Sequence, residues 1–209
     1  TPHSAVAASL AQAEHEFYYG NAATARDQFS QLVSAAREVD EYRLTASVLL
    51  KYAYTIARHD DPSAALEPLE RSMSLSAQAG DDRGWALAYV AMGFVYFLLN
   101  EHDKAFEYYR SAEGLFPNDI DHLDRGRLFK GLSAVHERYG DLALAIKYSR
   151  MALQSYESAG YPLGEISTLI NLGQMSGTAG DTAAAESTLT DAARRAQAHG
   201  DRFDVAVAS

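Results

Sequence analysis

His59-Asp60 and His102-Asp103 bring together the side-chain types that proton transfer and metal binding use. A histidine beside a carboxylate can hold a proton or fill one place in a metal shell. Both pairs are bare dipeptides with no third group spaced to complete a site. The other histidines are His3, His15, His122, His136 and His199, and no two of the seven stand four apart as in H-E-x-x-H. No nucleophile elbow, lysine-bearing phosphate loop or dinucleotide fingerprint occurs; Gly114, Gly126, Gly131 and Gly164 are scattered. No carboxylate pair is spaced for acid–base work. Cysteine is absent, which removes disulfides and thiolate sites. The residues therefore point to no enzyme, no metal and no cofactor.

What remains is recognition. Val90, Phe94, Phe97 and Leu98 make one segment apolar nearly all round. A helix with that pattern has to be covered, either by its own neighbours or by a partner. Arg127, Lys130 and Arg138 stand out in a chain of net charge −10, as solvated surface or as a basic rim. Phe17, Tyr18, Tyr19, Tyr108, Tyr109, Tyr148 and Tyr156 are spaced for packing between helices, and Trp85 for a junction. The acidic balance excludes a nucleic-acid face, which needs clustered Lys and Arg. The longest apolar run, 86–99, falls short of the roughly 18 residues of a membrane span. A cytoplasmic setting is expected for a chain without cysteine.

These residues must be positioned by a repeating framework. Ala25, Ala65, Ala105, Ala145 and Ala185 recur every 40 residues, each five residues after a turn former: Gly20, Asp60, Asn100, Gly140 and Gly180. A strict period of this length marks stacked repeats that each touch only their neighbours. Every unit reads as two helices. In the fourth, Leu128, Phe129, Leu132 and Val135 form one apolar face and Gly140 stops the helix. Asp141 caps the next helix, whose face is Leu144, Ala145, Tyr148, Ala152 and Leu153. Pro62 after Asp61 suits a first helical turn, whereas Pro68 lies inside the pattern and predicts a kink. The repeats span 4–41, 42–81, 82–121, 122–161 and 162–201, with junctions at Gly80–Gly84, Pro117–Gly126, Gly160–Pro162 and Gly200-Asp201. Residues 202–209 read as the start of a further, truncated helix, and the chain as a piece of a longer protein.

The pattern resembles the tetratricopeptide repeat, W-x2-L-G-x2-Y, then A-x3-F, then P. The third unit matches with Tyr89, Met92, Gly93 and Tyr96, then Ala105 and Tyr109, then Pro117. The fifth supplies Leu169, Leu172, Gly173 and Ser176, then Ala185 and Leu189; the fourth supplies Phe129, Leu132, Ser133 and His136, then Ala145 and Ser149. The second keeps Leu49, Tyr52, Ala53 and Ile56, then Ala65 and Leu69. In the first, Ser9, Gln12 and Glu16 replace the apolar signature and suggest a capping helix. The period exceeds the usual 34 residues. The resemblance implies an all-α, right-handed superhelical solenoid of five hairpins, about ten helices, forming a single domain over 1–209.

It also implies that the leading helices line a concave groove for a peptide or partner domain. Helical phase assigns that face Tyr54 and Arg58 in the second unit, and Leu87, Val90, Phe94, Phe97 and Leu98 in the third. The fourth contributes Arg127, Lys130 and Arg138, and the fifth Asn171 and Gln174. The function implied is a protein-interaction scaffold, the sensory or recruiting part of a larger bacterial signalling protein. The alternative is self-association into a homodimer through Leu189, Ala192 and Ala193. The partner is protein or peptide, with no nucleic acid and no membrane.

Overall fold

The computed structural model describes residues 2–19, 21–38, 42–116 and 121–208. Gly20 and the terminal Pro117 of the signature lie outside the described residues, as do the side chains of Phe17, Tyr18 and Tyr19. Within the described residues the chain is all helix, with ten α-helices and one 3-10 turn. It divides into two compact units, Thr1–Asn118 and Asp119–Ser209.

The first unit holds three hairpins. α1 (Pro2–Tyr19) pairs with α2 (Ala22–Glu38), α3 (Tyr42–His59) with α4 (Leu66–Gln78), and α5 (Asp82–Leu98) with α6 (His102–Leu115). The second holds two: α7 (His122–Arg138) with α8 (Leu142–Ala159), and α9 (Pro162–Thr178) with α10 (Thr182–Ala208). The turns follow from side-chain chemistry. Asp81, Asp141 and Asp181 each accept the backbone N–H three residues on, at 3.0, 3.1 and 3.0 Å. These bonds satisfy donors that a helix start leaves unpaired. Gly140 turns with φ +77°, and Asn100, at the same point of its repeat, with φ +60°. Asparagine tolerates that left-handed conformation better than most side chains.

Asp60 occupies this point in the second repeat and does not turn left-handed. Pro62 follows closely, and a proline pushes the residue before it into extended backbone. Asp61 is accordingly extended, at φ −83° and ψ 116°, and caps a 3-10 turn over Pro62–Ala65. The helix proper restarts at Leu66, so Pro68 lies in its first turn and not mid-helix. Its missing N–H costs little there, because first-turn donors have no helical partner. The irregularity falls ahead of Pro68, as a change from 3-10 to α. A second difference lies at the C-terminal end. No junction forms at Gly200-Asp201 and no new helix starts at 202; α10 runs on to Ala208. A glycine inside a helix costs only about 1 kcal/mol, too little to end one by itself.

Packing explains the alanine period. Ala25, Ala65, Ala105 and Ala145 are fully buried, where helices of a hairpin cross closely. A second ladder pairs a small residue of each leading helix with a residue of the following one. Gly93 faces Tyr109, and Gly173 faces Leu189. Ser133 Oγ lies 2.8 Å from Ser149 Oγ and donates to the Ala145 carbonyl at 2.8 Å. At the same positions, Ala53 shares a core cluster with Leu69, and Ala13 shares one with Phe29. Glycine or alanine stands opposite each large residue, and serine opposite serine. α1 buries Val6 and Ala13 and exposes Ser9 and Gln12, as a capping helix should.

Candidate functional site: one face of the leading helices

In the first unit the face is built by α3 and α5. The Tyr54 ring lies 5.8 Å from the Phe94 ring, tilted by 36°. Tyr54, Leu87 and Phe94 are half-buried and pack against the cluster formed by Ala53, Ile56, Ala88 and Val95. Phe97 is half-buried with its ring 5.3 Å from that of His102, and Leu98 is exposed. Arg58 is exposed at the last turn of α3. Val90 differs from its assignment to the groove. At 2% exposure it belongs to the core, because a helix apolar nearly all round buries more than one side.

In the second unit the face is built by α7 and α9, and it is polar. Arg127 Nη1 donates to Asp124 Oδ1 at 3.0 Å, and Asp124 is itself buried. Lys130 Nζ donates to Ser167 Oγ at 2.7 Å, bridging the two helices. Asn171 is half-buried, while Arg138 and Gln174 are exposed. Arg127 is thus held from within α7, and Lys130 from across the gap by α9. On α10, Leu189 is 40% exposed, but Ala192 is buried at 2%, which removes it from any surface for a second copy.

Three arrangements escaped the sequence. Tyr96 stacks on Tyr108 at 5.2 Å and 13°, and 40 residues later His136 stacks on Tyr148 at 5.4 Å and 11°. Both members are aromatic in both repeats, which is the signal that could have found them. Burial pushes the Tyr108 phenol above its ordinary range, with Tyr96 and Tyr89 adding to the effect. Tyr156 is wedged between helices where Gly126 and Gly164 leave room, and a Cβ on either would come within 2.6 or 2.7 Å of its ring. The buried Asp124 had no such signal, since exposed aspartates follow many helix starts.

Among the described residues, no three His, Cys, Asp or Glu side chains converge on a metal position, and no helix is long and apolar enough to cross a membrane.

Stacked α-hairpins with small-residue crossings define a helical-repeat protein. Residues 86–158 match the tetratricopeptide repeat family. That match falls in the third and fourth hairpins. Its fold is similar to that of BtubC (BKLC) from P. vanneervenii, with a TM-score of 0.64 at 19% identity over 94% of this chain and 90% of that one. It is also similar to a Rap protein complexed with competence and sporulation factor, with a TM-score of 0.80 at 14% identity over 89% of this chain. There it spans 52% of the other chain, about half its length. A Podosopora anserina putative kinesin light chain with nearly identical TPR-like repeats gives a TM-score of 0.57 at 13% identity, over 97% and 99% of the two chains. At these identities the likeness is one of fold. No curated protein shows significant similarity to the sequence.

Proposed function

We propose that the chain is a protein-interaction module that takes a peptide or partner segment on the inner faces of its leading helices. Within a longer regulatory protein it would sense or recruit. The observation that carries this reading is the set Tyr54, Phe94, Phe97 and Leu98, none of it buried, on α3 and α5 of one compact unit. Large apolar side chains left partly open in this way are where binding energy concentrates, aromatic ones above all. The polar face of α7 and α9 suits hydrogen bonds to a peptide backbone or to acidic side chains. The similar Rap protein carries competence and sporulation factor, which fits a fold able to hold a ligand.

The test begins with peptides selected from a random library against the intact chain. Phe94→Ala with Phe97→Ala should weaken the selected peptides by about tenfold or more, while the helical signal and melting temperature stay close to wild type. Collapse of the fold in the double variant would assign both rings to the core. Unchanged affinity would place binding elsewhere.

A further inference from the structure

Lys130 and Ser167 meet across the two leading helices of the second unit. Ser167 Oγ donates to the Gly164 carbonyl at 3.1 Å, one turn back on α9. That bond commits the hydroxyl proton, so the oxygen is an acceptor toward α7. Lys130 Nζ donates into it at 2.7 Å. The two bonds run in one direction, from ammonium to hydroxyl to carbonyl, and bonds in series polarise one another. The base of the series is packed in place. Gly164 is buried, and the rings of Tyr156 and Tyr161 fill the space where its side chain would stand, 2.7 and 2.5 Å from a Cβ built there. A core wedge thus fixes the direction of a half-buried lysine on the candidate face. Ordering a lysine costs rotamer entropy, and a ligand that finds it already ordered does not bear that cost.

The charges around it differ in kind. Arg127 is matched by the buried carboxylate of Asp124 at 3.0 Å. Ser167 carries no charge, so it directs the Lys130 ammonium without neutralising it. An ammonium has three N–H donors, and the bond to Ser167 uses one of them. Beside Ser167, α9 presents the amides of Asn171 and Gln174. The one carboxylate of α9, Glu165, accepts from Arg195 of α10 at 2.7 Å. α7 bears Arg125, Arg127, Lys130 and Arg138 against Asp124 and Glu137, in a chain of net charge −10. The complement of this face is an acidic segment.

Granted the interaction role proposed above, we infer that Ser167 is a positioning residue, which holds Lys130 over the face of α7 and α9 to take a carboxylate from an acidic segment of the partner. Lys130 makes the contact with the ligand; Ser167 acts through it, and Gly164 and Tyr156 anchor Ser167.

The test uses peptides selected from a random library on the intact chain, each made again with Asp and Glu replaced by Asn and Gln. On the unaltered chain the amide version should bind about tenfold or more weaker than the acidic one. Ser167→Ala should weaken the acidic version several-fold and leave the amide version unchanged, and Ser167→Thr, which keeps a hydroxyl, should restore most of the loss. Lys130→Met should erase the difference between the two versions. Equal losses of both versions in Ser167→Ala would reduce Ser167 to a structural role and overturn the inference. Peptides that depend on Phe94 and Phe97 but bind equally well with and without their carboxylates would overturn it too, and would leave the interaction role standing. A library that yields no binder would sink both. Where a variant melts early, salt on the unaltered chain decides: from about 50 mM to about 500 mM NaCl the acidic version should weaken and the amide version should not.

Discussion

A methyl group on residue 93 would sit 2.8 Å from the Tyr109 ring. The ring is 3% exposed and has nowhere to retreat. A methyl on Gly114, also helical, would meet nothing within 4 Å. The same substitution should therefore have opposite signs at the two sites. Gly93→Ala gains helix propensity but overpacks, for a net loss of about 1–2 kcal/mol. Gly114→Ala gains propensity alone, about 0.5–1 kcal/mol. Urea denaturation of both variants reads the difference directly. The repeat signature already marks Gly93 as special, since it stands where Gly173 and Ser133 stand in later units. The cause was not legible, because a one-dimensional pattern does not say which ring fills the space. Val90 is the matching failure. Helical phase put it on an open face, but phase cannot tell how deep a wholly apolar helix lies.

Helices and turns were the most readable level. The aspartates after the turns, the left-handed Gly140 and Asn100 and the buried alanines all follow from local chemistry repeated at one spacing. The misreadings at Pro68 and Gly200 share a physical origin. Proline and glycine are read as breakers, yet each breaks a helix only where the surrounding chain offers an alternative. Pro62 and Asp61 supplied one ahead of Pro68; nothing supplied one at Gly200. The alanine crossings make a graded prediction. Ala105→Leu and Ala145→Leu force a large side chain into fully enclosed crossings and should each cost about 1–3 kcal/mol. Ala185→Leu, at the half-open crossing of α9 and α10, should cost less than half of that. Melting temperatures of the three variants provide the measurement, and equal losses would contradict the close-crossing role.

For the molecule as a whole, the net charge of −10 makes carboxylate protonation the natural acid response. Asp191 shows its direction. Burial pushes its carboxyl up, but hydrogen bonds and charge from Arg194 and Arg195 outweigh that and hold it below the ordinary range. A depressed native value means the stabilisation is complete above the unfolded pKa of about 4 and is lost as pH falls through the native one. Urea midpoints compared at about pH 7 and pH 3 should drop further for the unaltered chain than for Asp191→Asn, which has no such proton to take up. The division into Thr1–Asn118 and Asp119–Ser209 was the least legible feature. The alanine period runs through that boundary without a slip, so nothing in the repeat itself announces it. The groove residues were legible only as helix faces, since their surroundings depend on what each unit packs around them.

The reciprocal sizes at Gly93 and Tyr109, Ser133 and Ser149, and Gly173 and Leu189 limit how such an array can be shuffled in evolution or by engineering. A recombination point between hairpins keeps each of these three couples intact, although one between α8 and α9 would part Tyr156 from Gly164. A point within a hairpin marries the front half of one to the back half of another, and a tyrosine then meets a serine where it needs emptiness. Duplication and loss of whole hairpins is the permitted grammar, and the two halves of each must be inherited together.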